Sequence, residues 1–460
     1  MYELIVIGGG PGALDLAIGG AALGARVGLV EPGPAGSTPS PDGVELRALA
    51  DAARLARDAR NASDLGIHVG DVRVDGAALM DHVRREVKRD GEGRTRDALK
   101  ALGVDRFEGS AVFEAYDTIV LDRRQRLCAR HFAIATRARP YVPQVAGLDS
   151  VPYLTSETVW GLTEVPEDLL ICGQGAEAVL FAQAFARLGS KVTILAAAGP
   201  LADFDPDMLQ RLEAGLSREG VVILRHAEWA RADRRDGKVA VRFRTTEGGD
   251  PFEAVRSRLL IAQGKRPAID NLGLEAIGVR LDAHGGIEVH ERLNTRLRNV
   301  FAFGEALGRT PCGGAVMAQV RVVLENILLG ASRSYSEHAV ARLLPADPEV
   351  AEVGPIEGPD ALKAASHVFE TRFGGFAKVW LGPGGKVQAA SMIGRGAGAF
   401  IEDCALGIAN DLSLVDLAVP VRHEPAEAAM INGMALHQRA RRGSLRRTAI
   451  RAIQGFVERD

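Results

Sequence analysis

The sequence predicts an α/β protein that contains two Rossmann-like nucleotide-binding folds. Two observations carry this prediction. A glycine-rich loop joins an apolar strand to an alanine-rich helix at the start of the chain, and a second loop of the same design follows 165 positions later. A chain of 460 residues is long enough for two to four domains with substantial cores.

The first fold is predicted from a strand–helix–strand pattern at the N-terminus. Tyr2–Ile7 is aliphatic and rich in β-branched residues, which favours a short buried strand. An alanine-rich amphipathic helix is expected from about Leu14 to Leu23, and a second strand from Arg26 to Val30. Glu31 follows that strand directly, where dinucleotide-binding folds carry an acidic residue.

The loop between strand and helix has the spacing GxGxxA. Gly8 is expected to make the tight turn, and Gly10 to let the backbone approach a diphosphate. Ala13 permits close helix–strand packing, while the helix N-terminus offers free N–H groups to phosphate oxygens. Glu31 would accept hydrogen bonds from a ribose. With all these parts in order, the pattern predicts nucleotide binding in preference to a structural turn.

The second fold repeats the first at a constant offset. Gly173, Gly175 and Ala178 match the fingerprint, between an apolar strand at 169–172 and another at 191–195. Two such folds indicate an enzyme that uses two nucleotide cofactors. Ala196 stands where the first fold has its acid, and no arginine occurs at 196–202 to take a 2′-phosphate. The alternatives are an unselective pyridine-nucleotide site, a weakened site or a retained scaffold; we favour retained binding.

Composition narrows the function classes. The net charge of −3 and the charged fraction of 25% are ordinary for a soluble protein and give no reason to expect a nucleic-acid partner. The first strand begins at residue 2, so no secretory leader is expected, and no apolar run reaches membrane-spanning length. The four cysteines have no local metal-binding spacing, which predicts a cytoplasmic protein without a metal site: Cys128, Cys172, Cys312 and Cys404.

Several further segments resemble one family of flavoproteins. The chain is similar to the pyridine nucleotide–disulfide oxidoreductases, the family of dihydrolipoamide dehydrogenase, glutathione reductase and mercuric reductase. Residues 134–140 resemble the family's ATG-x-RP segment, and residues 299–305 resemble the motif whose final acid holds the FAD ribityl chain. The other matching segments are 154–157, 261–267, 375–379 and 392–394. Their order along nearly the whole chain carries the resemblance.

The resemblance implies a three-domain architecture. FAD would be bound by residues 1–148 together with 262–332, and NAD(P)H by an inserted domain at 149–261. An α+β dimerisation domain at 333–460 would form a homodimer. The candidate cofactor-binding residues are Gly8, Gly10, Pro11, Ala13, Glu31, Arg47, Gly109, Thr136, Gly173, Gly175, Ala178, Gly264, Glu305 and Cys312. For Cys312 a small buried residue is favoured over a flavin contact.

The first departure from the family removes its redox-active CxxxxC pair. In the preferred register the two cysteine positions fall on Thr38 and Gly43, and the family's lysine becomes Arg47. A register shifted by one residue gives Pro39, Val44 and Ala48 instead. Neither register supplies a cysteine, so no dithiol relay is expected. Arg47 would keep a positive charge near the reduced flavin. The carboxylate that pairs with the lysine in the family aligns with Leu180, so Arg47 would lack that partner.

The second departure removes the family's C-terminal His–Glu pair. Aligning the HPxxxE motif on Pro425 places Glu424 at the histidine position and Ala429 at the glutamate position, while His423 lies one place early. In one interpretation Glu424, or less favourably His423, handles a proton for a different acceptor. In the other interpretation both are solvated loop residues. The sequence favours neither.

The C-terminal segment 439–457 is rich in arginine. Its apolar residues recur at helical spacing, so a basic amphipathic helix is expected. One hypothesis is an anchor for a membrane surface or an acidic partner. We favour a helix packed on the dimer with its arginines in water, because Glu458 and Asp460 follow.

The predicted function is an FAD-dependent NAD(P)H oxidoreductase that passes electrons from reduced flavin directly to a small non-disulfide acceptor, such as a quinone or another electrophile. Arg47, Glu424 and His423 are the candidate catalytic residues. One alternative is an FAD-binding partner or regulatory protein that has lost turnover. Another is a flavoenzyme acting on its own organic substrate. The sequence leaves open NADH against NADPH and the identity of the acceptor.

Overall fold

The computed structural model describes residues 1–32, 43–91, 96–197, 201, 204–245, 252–308, 313–355, 367–370, 374–419, 431 and 434–435. The described residues group into two units. The first contains those of Met1–Leu201 and Leu216–Tyr335, and the second contains those of Ala202–Gly215 and Ser336–Asp460. No helix in the described ranges combines the length and the apolar character needed to cross a bilayer.

The first unit contains the strands of both glycine-loop folds. In chain order they are β1 (Tyr2–Ile7), β2 (Val27–Glu31), β3 (Val104–Glu108), β4 (Ala111–Ala115), β5 (Thr118–Leu121), β6 (Gln125–Ile134), β7 (Ala138–Pro140), β8 (Leu154–Thr155), β9 (Asp168–Cys172), β10 (Lys191–Ala196), β11 (Val222–Arg225), β12 (Ala227–Arg235), β13 (Lys238–Thr245), β14 (Phe252–Arg256), β15 (Arg258–Ile261), β16 (Lys265–Pro267) and β17 (Val300–Ala302). Its helices are α1 (Pro11–Ala22), α2 (Val44–Arg60), α3 (Gly76–Gly91), α4 (Arg96–Ala101), α5 (Ala176–Leu188), the end of α6 (Pro206–Arg218) and α7 (Gly313–Leu328).

The first sheet is built around the N-terminal strand. The strand order is β3-β2-β1-β6-β5-β4, with β17 also pairing with β6. β1 is parallel to both β2 and β6, and Leu4, Ile5 and Val6 are fully buried. A strand covered on both faces needs such an uninterrupted apolar run. α1 makes the crossover from β1 to β2 and packs on the sheet through Leu16 and Ala17.

The second glycine-loop fold forms its own parallel sheet in the order β11-β10-β9-β15-β8. Its crossover helix α5 is buried along almost its whole length, as its apolar sequence requires. A three-stranded antiparallel sheet, β12-β13-β14, follows β11 in the chain. β7 and β16 continue the chain beyond β6 and β15, and they pair with each other in antiparallel fashion. This pairing brings the ends of the two sheets together.

The second unit is an antiparallel α+β fold. Its strands are β18 (Arg342–Leu344), β19 (Val350–Val353), β20 (His367–Glu370), β21 (Phe376–Leu381) and β22 (Val387–Ile393), and its helices are α8 (Ala397–Ala409) and α9 (Leu414–Leu417). The sheet order is β18-β19-β22-β21-β20. The apolar residues of α8 cover one face of this sheet. Most of the family-like segments 375–379 and 392–394 lies in β21 and β22.

A buried polar cluster ties residues 204–207 to this sheet. Glu352 accepts hydrogen bonds from the Asp205 backbone N–H at 2.6 Å and from the Ser391 hydroxyl at 2.9 Å. Arg342 donates to its second oxygen at 2.8 Å. Lys378 Nζ lies 2.9 Å from Asp205 Oδ1, and the Asp205 side chain is fully buried. Every buried charge in the cluster therefore has a partner of opposite charge or a hydrogen-bond donor.

Glu352 gives this unit a predicted pH dependence. Burial raises the pKa of Glu352 above its ordinary value, although its hydrogen-bond partners oppose the shift. The folded state therefore binds more protons than the unfolded state just above the ordinary pKa, so stability falls as pH rises there. We expect the free energy of unfolding to fall more steeply for the wild-type protein than for Glu352→Gln between about pH 4 and pH 6.

Urea denaturation across that pH range measures the difference, with Glu402→Gln on the exposed face of α8 as the control. Parallel stability curves for the wild-type protein and Glu352→Gln would contradict the assigned shift. The control substitution should leave the slope of the wild-type curve unchanged.

Candidate functional site

The first glycine loop is held against the end of β6. Gly8 has a φ of +146°, and a Cβ at this position would lie 2.1 Å from the carbonyl oxygen of Ala135. Its N–H donates to the Val30 carbonyl at 2.8 Å, and Ala135 N–H donates to the Ile7 carbonyl at 2.8 Å. Only glycine fits this turn, because both the left-handed backbone and the close approach exclude a side chain. The geometry is the one predicted from the fingerprint.

The N-terminus of α1 is open for an anion. Gly10 is the N-cap and contributes no side-chain cap, and Pro11 occupies the start of the helix. The first turn holds no acidic residue, so the N–H groups and the positive end of the helix dipole are uncompensated. Ala13 is buried between the helix and the sheet. The helix starts three residues earlier than predicted because proline is favoured at the first helical position.

Glu31 lies beside this loop, at the end of β2. Its Oε1 atom would be 3.1 Å from a Cβ at Gly9, and Gly109 donates its N–H to the Glu31 carbonyl at 2.9 Å. The carboxylate forms a short ion pair with Arg106 of β3, and both side chains are largely buried. Arg106 therefore holds the acid at the position where the fold binds a ribose. Nothing in the local sequence indicated this arginine, which the parallel pairing of β2 and β3 brings beside Glu31.

Two predicted cofactor residues, Thr136 and Glu305, lie just beyond the carboxyl ends of β6 and β17. Thr136 follows β6, and its buried hydroxyl has no hydrogen-bond partner among the described residues. Glu305 lies in the 3-10 turn after β17 and accepts the Ala138 backbone N–H at 3.0 Å. The buried Nε and Nη1 atoms of Arg137 also have no partner in the described part of the chain. Buried polar atoms without a partner of this kind are typical of a ligand-binding site.

The second glycine loop repeats the first closely. Gly173 has a φ of +159°, and a Cβ there would lie 2.0 Å from the Ala262 carbonyl oxygen. Its N–H donates to the Leu195 carbonyl at 3.0 Å. Gly175 caps α5 with open space around the position of a Cβ, and Ala178 is fully buried. The internal repeat thus holds at the level of backbone geometry.

Lys265 connects the turn after β17 with the start of α5. Its Nζ atom lies 2.9 Å from Glu177, in the first turn of α5, and 3.7 Å from Glu305. Burial lowers the pKa of Lys265, but the two carboxylates raise it and the net shift is upward. The charge of Arg137 acts in the opposite direction to the carboxylates. Gly264, just before Lys265, adopts a left-handed conformation with φ of +87° and accepts the Tyr141 N–H through its carbonyl.

The two folds differ at the strand end where a ribose would bind. In the first fold Glu31 pairs in register with Glu108. In the second fold the corresponding strand ends with the buried Ala196, which pairs in register with the exposed Arg225 of β11. A cation thus lies at the strand end beside the missing acid. The local sequence at 196–202 does not reveal Arg225, because strand pairing rather than sequence proximity places it there.

Of the three candidate catalytic residues, the described part of the chain includes Arg47. Arg47 lies exposed in the first turn of α2, and its N–H donates to the Gly43 carbonyl at 2.8 Å. Gly43 is left-handed, with φ of +66°. Thr38, His423, Glu424, Cys312 and the 439–457 segment lie outside the described residues.

The other three cysteines lie in ordinary surroundings. Cys172 ends β9 and is fully buried, and burial raises the pKa of its thiol. Cys404 is buried in α8, and Cys128 is exposed on β6. Within the described ranges no group of three or more His, Cys, Asp or Glu residues is placed to hold a metal ion.

The residues present fit FAD at the first loop. The tight turn at Gly8 leaves no room for a side chain, and the α1 N-terminus offers free donors. Thr136 and Arg137 add buried donors that have no described partner. A diphosphate with an attached ribityl chain supplies the acceptor oxygens that these groups need.

Comparisons with known proteins agree with this geometry. Residues 2–323 match the family described as pyridine nucleotide-disulphide oxidoreductase. A mercuric reductase from Streptomyces lividans is 31% identical over 438 residues, which cover 91% of this chain and 92% of the relative. A dihydrolipoyl dehydrogenase from Geobacillus stearothermophilus is 28% identical over 444 residues, covering 92% and 93%.

Among solved structures, the Cu(II) complex of the HOCl-induced flavoprotein disulfide reductase RclA from Escherichia coli is similar in fold. The TM-score is 0.80 at 22% identity, and the match covers 94% of this chain and 98% of that one. The predicted α/β class and the predicted family are both confirmed. The chain is a member of the pyridine nucleotide-disulphide oxidoreductase family.

Proposed function

We propose that the protein is an FAD-dependent NAD(P)H oxidoreductase that delivers electrons to a small non-disulfide acceptor, such as a quinone or another electrophile. The observation that carries this proposal is the sequence of the loop after β2. Residues 33–47 contain no cysteine, and the cysteine positions of the family fall on Thr38 and Gly43, or on Pro39 and Val44. A dithiol relay requires two thiols beside the flavin.

The nucleotide folds support retained cofactor chemistry. Bound FAD would accept a hydride from the reduced pyridine nucleotide and release electrons to the acceptor. The first loop, with Thr136 and Glu305, would hold FAD, and the second loop would hold the nucleotide through Gly173 and Gly175. Lys265 would partly neutralise the two carboxylates of Glu177 and Glu305 where the two cofactors approach.

Anaerobic mixing of the FAD-loaded protein with NADH or NADPH tests the proposal. We expect bleaching of the flavin by the nucleotide and rapid return of its absorbance on addition of a quinone, with no return on addition of lipoamide or glutathione disulfide. If neither NADH nor NADPH bleaches the flavin at millimolar concentration, the assignment of NAD(P)H as the electron donor is wrong. An inert flavin together with a stoichiometric protein partner would favour a regulatory role.

We further propose that NADPH is the preferred donor. The second fold lacks the acid that would repel a 2′-phosphate, since Ala196 replaces it, and Arg225 lies at the adjacent strand end. A guanidinium favours a phosphate through paired, charge-assisted hydrogen bonds. We expect Arg225→Ala to raise the KM for NADPH by about tenfold, with the KM for NADH changed by less than about twofold.

Steady-state kinetics with a quinone acceptor measures both constants. Arg234→Ala serves as the control, because it removes an exposed arginine from β12, outside the parallel sheet. Equal changes in the two KM values, or a wild-type preference for NADH, would contradict the role given to Arg225.

A further inference from the structure

We infer that Arg137 is an additional anion-binding residue for the diphosphate of FAD. Its role depends on FAD binding, which is part of the function proposed above, and is independent of the identity of the electron acceptor. Arg137 stands where the ATG-x-RP pattern has glycine, so it adds a cation that the pattern lacks. The position of its side chain assigns that cation to the phosphates.

The backbone fixes Arg137 at the edge of the first glycine loop. It follows Thr136 directly after β6, and its carbonyl accepts the Ala268 N–H at 2.8 Å. The Cγ atom of Arg137 lies 3.6 Å from the position of a Cβ at Gly10, the N-cap of α1. The aliphatic part of the side chain therefore runs beside the helix N-terminus at which a diphosphate is bound in this fold.

The guanidinium carries donors that need an acceptor. Nε and Nη1 are buried and have no hydrogen-bond partner among the described residues. Burying charged donors without an acceptor is strongly unfavourable, so such an arrangement indicates that a ligand completes it. The Thr136 hydroxyl, one residue earlier, is buried and unpaired in the same way. Two adjacent residues thus present three unsatisfied polar atoms beside one loop.

The neighbouring carboxylates are already engaged. Glu305 accepts the Ala138 N–H and lies 3.7 Å from Lys265, which also pairs with Glu177 at 2.9 Å. Arg137 is close enough to Lys265 for the two positive charges to repel each other. The two positive charges of Arg137 and Lys265 therefore favour the binding of an additional dianionic group beside them. The planar guanidinium matches two phosphate oxygens in a way that an ammonium does not.

Equilibrium binding of FAD and of ADP to the apoprotein tests the assignment. ADP is the adenosine diphosphate half of FAD, so it reports on contacts to that half of the cofactor without those to the flavin. We expect Arg137→Met to raise the Kd for both ligands by at least about tenfold and to reduce the salt dependence of binding. Arg137→Lys should lie between the wild-type protein and Arg137→Met, because it keeps the charge without the planar donor pair.

Two further variants make the test specific. Arg139→Met removes an exposed arginine of β7 two residues away and should bind both ligands as the wild-type protein does. Arg137→Gly restores the glycine of the pattern and should also weaken binding. Thermal unfolding of each apoprotein shows whether a variant that fails to bind is still folded, and Arg137→Lys provides the conservative comparison.

Three results would overturn the inference. FAD binding by Arg137→Gly or Arg137→Met that equals or exceeds the wild-type affinity would show that Arg137 is inert or fills the cofactor's space. Weakened binding of FAD with unchanged binding of ADP would place the contact away from the diphosphate. A wild-type protein that binds no FAD would overturn the proposed function as well, whereas the first two results leave that proposal intact.

Discussion

Replacing Gly8 with alanine is expected to abolish FAD binding, whereas replacing Gly173 with alanine should abolish only the reduction of bound FAD by NAD(P)H. Each added Cβ would lie about 2 Å from a backbone carbonyl oxygen, of Ala135 in the first fold and of Ala262 in the second. Backbone atoms at that distance must separate, so the loop and the adjoining strand end cannot keep their geometry. The two substitutions distinguish the two folds because each disturbs one loop.

Gly103→Ala is the matched control for this pair. Gly103 is also left-handed, with φ of +83°, but a Cβ there meets no atom within 4 Å. It should cost only the strain of the backbone conformation, about 1 kcal/mol, and leave both ligands bound. Absorbance of the purified protein measures FAD retention, and stopped-flow bleaching measures hydride transfer. A Gly8→Ala protein that retains FAD at wild-type affinity would contradict the assignment of the first loop.

Replacing Lys265 with methionine is expected to weaken both FAD and NAD(P)H binding by about tenfold, because Glu177 and Glu305 lose their shared cation beside two anionic cofactors.

The raised pKa of Lys265 keeps it charged at neutral pH, and a raised lysine pKa contributes stability that is complete below its unfolded-state pKa. We therefore expect the stability difference between wild type and variant to be constant near neutral pH, and to shrink only above about pH 10.5.

Lys265→Arg and the double variant Lys265→Met/Glu177→Gln provide the controls. Arginine keeps the positive charge and should bind both cofactors with nearly wild-type affinity. The double variant removes one of the two uncompensated carboxylates, so it should recover part of the lost NAD(P)H affinity. Titration of both ligands by fluorescence measures these effects. Wild-type affinities in Lys265→Met would show that the bridge has no role in cofactor binding.

The sequence was sufficient to predict those parts of the fold that depend on local pattern. The turn at Gly8 and its repeat at Gly173 follow from the spacing of small residues between an apolar strand and a helix, and the structure has both. The predicted second strand is shifted by one residue, since β2 runs from Val27 to Glu31. Helix and strand ends depend on caps and pairing partners, which a periodic pattern specifies only loosely.

The ionic contacts of the site were not predictable in the same way. Arg106 meets Glu31 from 75 positions away, and Lys265 meets Glu177 and Glu305 through the pairing of β7 with β16. Such contacts depend on strand order and register, which the sequence does not state. The unpaired donors of Arg137 could be recognised only from burial. The domain boundaries, the homodimer and the roles of His423 and Glu424 stay predictions.

An anaerobic reductive titration of the FAD-loaded protein tests the central claim most directly. Without a dithiol beside the flavin, the only group that stores electrons is the flavin itself. We predict complete bleaching after about two electrons per FAD, with no long-wavelength absorbance from a thiolate–flavin pair. Uptake of about four electrons per FAD, with such an absorbance at the midpoint, would contradict the account.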